Sequence, residues 1–298
     1  MTHISELGSN ERSLRGQTVI VTGASSGIGR AAAALFAERG AKVALVGRDV
    51  SKTAAIAAEV GGTSYTADFE DLSDVARLGQ ALSEDLDEVH LLVNNAGAMF
   101  ESASLTADGF ERTFQVNHLA PALLTLQLQS LLERSGDDVR VISTGSSQAQ
   151  RVSLDLASLS TDVDGFSKNS NYGRAKLAFA LFAQHFDAIT PSNVAAVLVH
   201  PGFVATDIVR DNPEHLAAMR SGAIPATILT PVEGAKPLVA LGAASSAAEL
   251  HGSYFNRYES EPVSLLADLP SAELIYTATV QMLDQQLLCG REDGSEKS

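Results

Sequence analysis

Two residues on one predicted helix could move a proton. Tyr172 and Lys176 stand four positions apart, so they share one face of a helix. A tyrosine has an ordinary pKa of about 10, which makes it a poor acid or base at neutral pH. A nearby ammonium group lowers that pKa toward the range in which proton transfer is efficient. Such a pair is common on helices, so the elements around it decide whether it does chemistry.

A second segment has the composition of a phosphate-binding loop. Residues 22–29 read T-G-A-S-S-G-I-G, directly after the apolar run Thr18–Thr22 and before an alanine-rich helix. Glycines there allow a tight turn, let backbone N–H groups approach a pyrophosphate and let the helix pack on the strand. The helix N-terminus adds partial positive charge. The alternative is an ordinary turn, but the position after the first strand favours nucleotide binding.

The elements that must position these residues alternate along the chain. Apolar, β-branched runs are separated by amphipathic helices, which predicts an α/β, doubly wound parallel sheet (a Rossmann fold) of about seven strands with helices on both faces. We expect a single domain over residues 16–290, with flexible tails at 1–15 and 291–298. The predicted strands are Thr18–Thr22, Lys42–Val46, Thr63–Thr66, His90–Val93, Val139–Thr144, Val194–His200 and Gly252–Phe255.

Composition excludes several classes of function. The 298 residues carry a formal net charge of −15, which disfavours binding to nucleic acid or to an anionic membrane. A lone cysteine, Cys289, excludes a disulfide framework, and the seven histidines show no metal-ligand spacing, so no metal is expected. No apolar stretch is long enough to span a bilayer, and residues 1–16 lack the apolar core of a signal peptide or anchor. We therefore expect a soluble cytoplasmic protein.

Taken together, the motifs resemble the short-chain dehydrogenase/reductase family. Besides the glycine loop, N-N-A-G stands at residues 94–97, Asn117 lies in V-N-H, residues 172–176 read Y-G-R-A-K, and P-G at 201–202 precedes Thr206. They occur in the family's order over residues 18–206. The resemblance implies an oxidoreductase that transfers a hydride between a nicotinamide cofactor and a carbonyl or alcohol group.

The resemblance also implies a role for each catalytic residue. Tyr172 would exchange a proton with the substrate oxygen, Lys176 would tune Tyr172 and bind the nicotinamide ribose, and Asn117 would hold a water in a proton relay. A serine would polarise the carbonyl oxygen. Spacing from Arg140 along the fifth strand selects Ser146, whereas alignment on the segment Ser147-Gln148-Ala149 would select Ser147.

The form of the cofactor depends on the end of the second strand. Gly47 stands where NAD-dependent members of the family have an acidic residue, and Arg48 follows, whose guanidinium suits a 2′-phosphate. This favours NADP(H) over NAD(H). Asp68 is expected beside the adenine, although it could instead cap a helix. The full predicted cofactor-binding set is Gly23, Ser25, Ser26, Gly27, Ile28, Gly29, Arg48, Asp68, Phe69, Asn95, Ala96, Gly97, Tyr172, Lys176, Pro201, Gly202, Val204 and Thr206.

The substrate side resembles one subgroup. The 26-residue separation of Ser146 from Tyr172, and the segments T-P-V-E-G-A and G-S-Y-F, resemble the retinol dehydrogenases and related reductases of lipophilic carbonyls. Pocket walls are expected from residues 98–105, 148–171 and a lid at 207–228. The alternatives are an NAD-dependent alcohol dehydrogenase and a non-catalytic nucleotide-binding regulator. Family members pair through helices represented here by 109–132 and 172–188, which favours a homodimer or homotetramer. The alternatives are a monomer, as the subgroup also allows, and a core role for the apolar faces of these helices, formed by Leu123, Leu126, Leu177, Phe179 and Phe182.

Overall fold

Apolar runs form the parallel core of one eight-stranded sheet, in the order β3-β2-β1-β4-β5-β6-β7-β8. The computed structural model describes residues 3–4, 13–154, 163–206, 228–262 and 269–294. Seven strands are parallel and β8 pairs antiparallel with β7. The predicted doubly wound fold is confirmed, with one strand more than expected. The strands are β1 Thr18–Thr22, β2 Lys42–Gly47, β3 Thr63–Thr66, β4 Leu91–Asn94, β5 Val139–Thr144, β6 Val194–His200, β7 Ser253–Asn256 and β8 Glu259–Pro262.

Helices cover both faces of this sheet, because successive strand residues point to opposite sides. The helices are α1 Gly27–Glu38, α2 Val50–Val60, α3 Leu72–Asp85, α4 Arg112–Phe114, α5 Ala120–Arg134, α6 Lys168–Ile189, α7 Pro231–Gly242 and α8 Leu269–Gly294. Ile20 belongs to the core shared with α3, α5, α6 and α8, whereas Val19 and Val21 belong to the core shared with α1, α2 and α7. A π-helical turn, Gln115–Leu119, joins α4 to α5. Within the described ranges, no helix combines the length and apolar character needed to cross a bilayer.

Helix α8, which the sequence analysis did not predict, packs against α6. Its Tyr276 ring stacks on Phe182 with ring centroids 5.3 Å apart, and Thr279 is hydrogen-bonded to His118 at 2.8 Å. Phe179 and Phe182 lie on the predicted pairing face of α6, but both are buried within the single chain. These side chains therefore belong to the core of one chain.

Some described residues near the two ends of the chain are held by the rest of the fold. In the segment 1–15, Leu14 is buried and the backbone N–H of Ile4 donates to Tyr258 O at 2.7 Å. At the other end, α8 continues to Gly294, past the predicted boundary at residue 290. The predicted lid lies outside the described residues except for its last position, residue 228, and so does part of the insertion, residues 155–162.

A buried arginine fixes the strand that leads into the predicted catalytic serine. Arg140 on β5 donates to the carbonyl oxygens of Gly242 at 2.7 Å and Ala244 at 2.8 Å, where α7 ends. It also forms an ion pair with Asp138 at 3.0 Å. Carbonyls at a helix C-terminus lack intrahelical partners, so the guanidinium satisfies groups that would otherwise be buried without hydrogen bonds. Strand β5 is thereby attached to the α7 layer.

Candidate active site

A cleft of about 670 Å³ lies where the parallel strands end at their carboxyl termini. It is lined by the segments that follow β1 to β6 and by two residues of α6, Tyr172 and Lys176. Every predicted cofactor-binding residue except Gly29 lines it. Of the predicted catalytic residues, Asn117 is the one that does not. The structure thus brings together residues that are up to about 180 positions apart in the sequence.

The glycine loop packs against the segment after β4 so closely that a side chain would not fit. Gly23 has a φ of +69°, and a Cβ there would lie 2.9 Å from the Cα of Ala96. The hydroxyl oxygen of Thr22 accepts hydrogen bonds from the N–H groups of Asn95 and Ala96, both at 3.0 Å. Gly29 does not face the cleft: a Cβ there would lie 2.3 Å from Gly23 O. Its role is to let α1 approach the loop.

Tyr172 and Ser146 are neighbours at the centre of the cleft. Tyr172 is 6% exposed, and its phenol lies near the Ser146 side chain. Burial raises the pKa of Tyr172 above its ordinary value, and the nearby Ser146 hydroxyl opposes that rise. The net shift is therefore opposite to the one that a neighbouring ammonium alone predicts. Ser147 also lines the cleft, but the described contact to Tyr172 is made by Ser146.

Lys176 lies one helical turn beyond Tyr172 and is 4% exposed. Its Nζ donates to Thr144 O at 3.1 Å, and lies 5.9 Å from the centre of the Tyr172 ring. Burial disfavours the charged amine and lowers the pKa of Lys176 to about 8. The lysine is attached to the end of β5 and not to the tyrosine itself.

Asn117 sits in the π-helical turn behind the cleft. Its side-chain amide donates to Ala98 O at 2.7 Å and to Thr113 O at 2.8 Å. Gly97 separates it from the lysine: a Cβ at Gly97 would lie 2.6 Å from the Asn117 side-chain oxygen and 3.3 Å from Lys176 Nζ. A π-turn shifts side chains out of α-helical register and is common at functional sites. Only glycine leaves room between the two groups.

At the end of β2, the neighbours of Gly47 leave no space for a larger side chain. A Cβ on Gly47 would lie 2.3 Å from Thr53 Oγ1 and 3.1 Å from the Ser25 Cβ. The space that an acidic side chain at position 47 would need is therefore occupied.

Asp68 does not cap α3. That helix is capped by Asp71, whose carboxylate accepts hydrogen bonds from the backbone N–H groups of Ser73 and Asp74 in the first turn. This removes the capping alternative for Asp68.

Replacing Gly47 with alanine should lower the free energy of unfolding by about 1–3 kcal/mol, because the new methyl group overlaps Thr53. Urea unfolding measures this loss. In the double variant Gly47→Ala/Thr53→Ala the overlap disappears, so its loss should be smaller than the sum of the two single losses. Additive losses would show that Thr53 is not the obstacle.

Several residues of the cleft were not predicted from the sequence. Glu70 lies beside Arg48, and the Thr144 carbonyl accepts from Lys176. His200, at the end of β6, also lines the cleft, and burial lowers its pKa. Thr144 and His200 are the last residues of their strands and Glu70 lies four residues after β3, so position near the carboxyl end of a strand was the available signal.

The lining of the cleft includes apolar as well as polar residues. Met99 and Phe100 come from the predicted wall 98–105, and Val116 and Phe203 add to them. From the insertion 148–171, Gln148 also lines the cleft.

Comparison with known proteins agrees with this arrangement. A family model described as short chain dehydrogenase matches residues 17–217. A Streptomyces protein (strain C5), provisionally named daunorubicin C-13 ketoreductase, is 36% identical over 86% of this chain and 88% of its own length. Human retinol dehydrogenase 13 is 29% identical over 89% of this chain and 82% of its own.

A solved structure extends the comparison to three dimensions. RhlG of Pseudomonas aeruginosa, solved as an active-site complex with NADP, is 26% identical with a TM-score of 0.64, over 82% of this chain and 95% of that one. Sequence and fold thus agree on one family. The chain belongs to the short-chain dehydrogenase family, has retinol dehydrogenases among its relatives, and is an oxidoreductase that acts on CH–OH and C=O groups.

Proposed function

We propose that this oxidoreductase is an NADPH-dependent carbonyl reductase for lipophilic ketones or aldehydes. The observation that carries the proposal is the single cleft in which the glycine loop at one end and Tyr172 with Ser146 at the other share one space of about 670 Å³. That volume suits a dinucleotide together with a small substrate, within the usual range of ligand pockets of about 300–1,000 Å³.

The residues of the cleft fit a nicotinamide cofactor. Gly23 and Gly27 have φ values of +69° and +54°, and a Cβ on either would press into Ala96 or Thr206. The Ser26 side chain does not cap α1, so the first N–H groups of that helix are available for a pyrophosphate. When bound, the cofactor would supply the hydride that reduces the carbonyl carbon. Lys176 would hold its ribose, and the segment 201–206 would flank its nicotinamide.

The proton side of the reaction is supplied by this chain's own side chains. Ser146 would donate a hydrogen bond to the carbonyl oxygen and stabilise the negative charge that develops on it. Tyr172 would then transfer its proton to that oxygen. The Tyr172 phenol is protonated at neutral pH, as a proton donor in the reductive direction must be, although its raised pKa makes it a weaker acid than a free tyrosine. Asn117, behind Gly97, would hold a water on the far side of Lys176.

The preference for NADP(H) is supported by the end of β2. The space beside Gly47 excludes an acidic side chain, and Arg48 faces the cleft, half-exposed. A planar guanidinium can donate two parallel hydrogen bonds to a phosphate. The opposing observation is that Arg48 already contacts Glu70, which favours NAD(H) as the alternative.

Replacing Arg48 with glutamine should raise the Kd for NADPH about tenfold and leave the Kd for NADH within about twofold, because the lost contact is to the 2′-phosphate alone. Fluorescence titration of both cofactors measures this. The matched control is Arg30→Gln, since Arg30 is exposed and pairs with Glu59 outside the cleft. Wild-type protein that binds NADH more tightly than NADPH would overturn the assignment.

The substrate class is supported by apolar residues in the lining of the cleft, such as Met99 and Phe203, and by relatives named as a ketoreductase and as retinol dehydrogenases. A panel of aromatic and aliphatic ketones and aldehydes with NADPH, followed at the nicotinamide absorbance, tests it. We expect the larger apolar members to be reduced fastest. No turnover with any of them, despite normal NADPH binding, would favour the non-catalytic role.

We also propose that the protein works in the cytoplasm, on the basis of its formal charge of −15. We further propose a homodimer or homotetramer. Phe179 and Phe182 of α6 are core residues, so another surface would have to form the contact between subunits.

A further inference from the structure

We infer that Glu70 restrains the preference for NADP(H), because its carboxylate competes with a 2′-phosphate for Arg48. The inference rests on the proposed function in one respect, the role of Arg48 at the 2′-position. It adds a specificity-determining residue that neither the family motifs nor the sequence spacing indicates.

Glu70 is held in place by a second arginine. Arg112, at the start of α4, donates from Nε to Glu70 Oε2 at 2.7 Å and from Nη2 to Glu70 Oε1 at 3.0 Å. The Arg112 guanidinium in turn lies 3.9 Å from the centre of the Phe100 ring, which is buried. A bidentate pair with one partner stacked on an aromatic ring gives a carboxylate little freedom to move away.

The same carboxylate reaches Arg48. Arg48 Nη1 donates to Glu70 Oε1 at 3.2 Å and lies 3.8 Å from Asp68 Oδ2. The Arg48 side chain is 47% exposed and that of Glu70 is 26% exposed, so both remain accessible from the cleft. A phosphate that approaches Arg48 therefore meets two carboxylates on the guanidinium it must bind.

Charge decides the outcome of that approach. A phosphate monoester carries a charge of about −1.5 to −2 at pH 7. It must share Arg48 with Glu70 or displace it, and in either case it approaches a like charge. A cofactor with a free 2′-hydroxyl has no such charge, and its hydroxyl can donate to a carboxylate. Glu70 thus weakens the binding of NADP(H) and does not weaken the binding of NAD(H).

The test uses two probes that differ only in the phosphate, 2′,5′-ADP and 5′-AMP, titrated by calorimetry against the full chain. Replacing Glu70 with glutamine removes the charge, while the amide oxygen can still accept from Arg112. We expect the Kd for 2′,5′-ADP to fall about tenfold and the Kd for 5′-AMP to stay within about twofold. Retained 5′-AMP binding also shows that the variant is folded.

The matched control is Asp49→Asn, which removes one negative charge nearby. Asp49 caps α2 and pairs with Lys52 at 3.5 Å, and asparagine can still cap the helix. We expect this change to alter both Kd values less than about threefold. If Asp49→Asn lowered the Kd for 2′,5′-ADP as much as Glu70→Gln does, the effect would come from the overall negative charge near the site and not from competition for Arg48. An unchanged ratio of the Kd values for 2′,5′-ADP and 5′-AMP in Glu70→Gln would overturn the inference.

Failure of the cofactor proposal gives a different pattern. Wild-type protein would then bind 5′-AMP more tightly than 2′,5′-ADP, and Arg48→Gln would change neither Kd. If Glu70→Gln still gains affinity for 2′,5′-ADP against that background, the competition is real even though the native cofactor is NAD(H). If it gains none, both proposals fail.

Discussion

Replacing Tyr172 with phenylalanine should lower kcat by about 10²–10⁴-fold, the range that a positioned acid contributes. The phenol lies in the cleft near Ser146, and phenylalanine removes its oxygen while keeping the ring. Lys176 and the glycine loop are untouched, so the Kd for NADPH should stay within about twofold. Single-turnover absorbance of the nicotinamide, with the carbonyl substrate found in the panel, measures the chemical step directly.

The matched control for this variant is Tyr276→Phe. Tyr276 lies on α8, stacked on Phe182 outside the cleft, so the same loss of a hydroxyl should leave kcat unchanged. Undiminished turnover in Tyr172→Phe would refute its role as the acid. A loss of NADPH binding in that variant would instead assign the tyrosine to cofactor affinity.

The centre of the fold was predictable because burial on both faces leaves a plain sequence pattern. Strand Val194–His200 is apolar nearly throughout, Val139–Thr144 is buried at every position, and both match their predicted bounds. Strand β8, Glu259–Pro262, was missed because E-S-E-P is polar and pairs at a sheet edge, where no apolar alternation is required. Its position follows from β7, and local composition does not reveal it.

Helix α8 was not predicted, although its sequence has the amphipathic pattern of a helix. Ala272, Ile275, Thr279 and Leu283 are buried and spaced by three or four residues, as one helix face requires. The segment begins near a proline, and the family motifs end well before it. The amphipathic pattern is therefore the one local feature that indicates this helix.

In the candidate site, residue types were predictable and their electrostatics were not. Tyr172, Lys176 and Ser146 line one cleft, because motif spacing and strand order bring them to the same edge of the sheet. The net pKa shift of Tyr172 depends on burial, and the freedom of Arg48 depends on Glu70, which is 22 positions away. Neither quantity is local in sequence, so neither could be derived from spacing.

Burial of Lys176 leads to a prediction in which activity and stability change in opposite directions. Lys176→Met should lower kcat at least about 10²-fold, since Tyr172 loses its cationic neighbour and the ribose loses a ligand. The same change should raise the free energy of unfolding of the cofactor-free protein at pH 7 by about 1–3 kcal/mol, because a buried charge is replaced by an apolar side chain.

The pH dependence identifies the cause of this stabilisation. The pKa of Lys176 falls from 10.5 to about 8 on folding, so the unfolded chain binds more protons between those two values. The free energy of unfolding of the wild type therefore rises relative to that of Lys176→Met as pH increases from about 8 to 10.5. The variant is more stable by the full amount below pH 8, and the difference disappears above pH 10.5. Urea unfolding over this range measures the difference, with the exposed Lys42→Met as the control. A stability difference that stays constant with pH would show that the buried charge is not its origin.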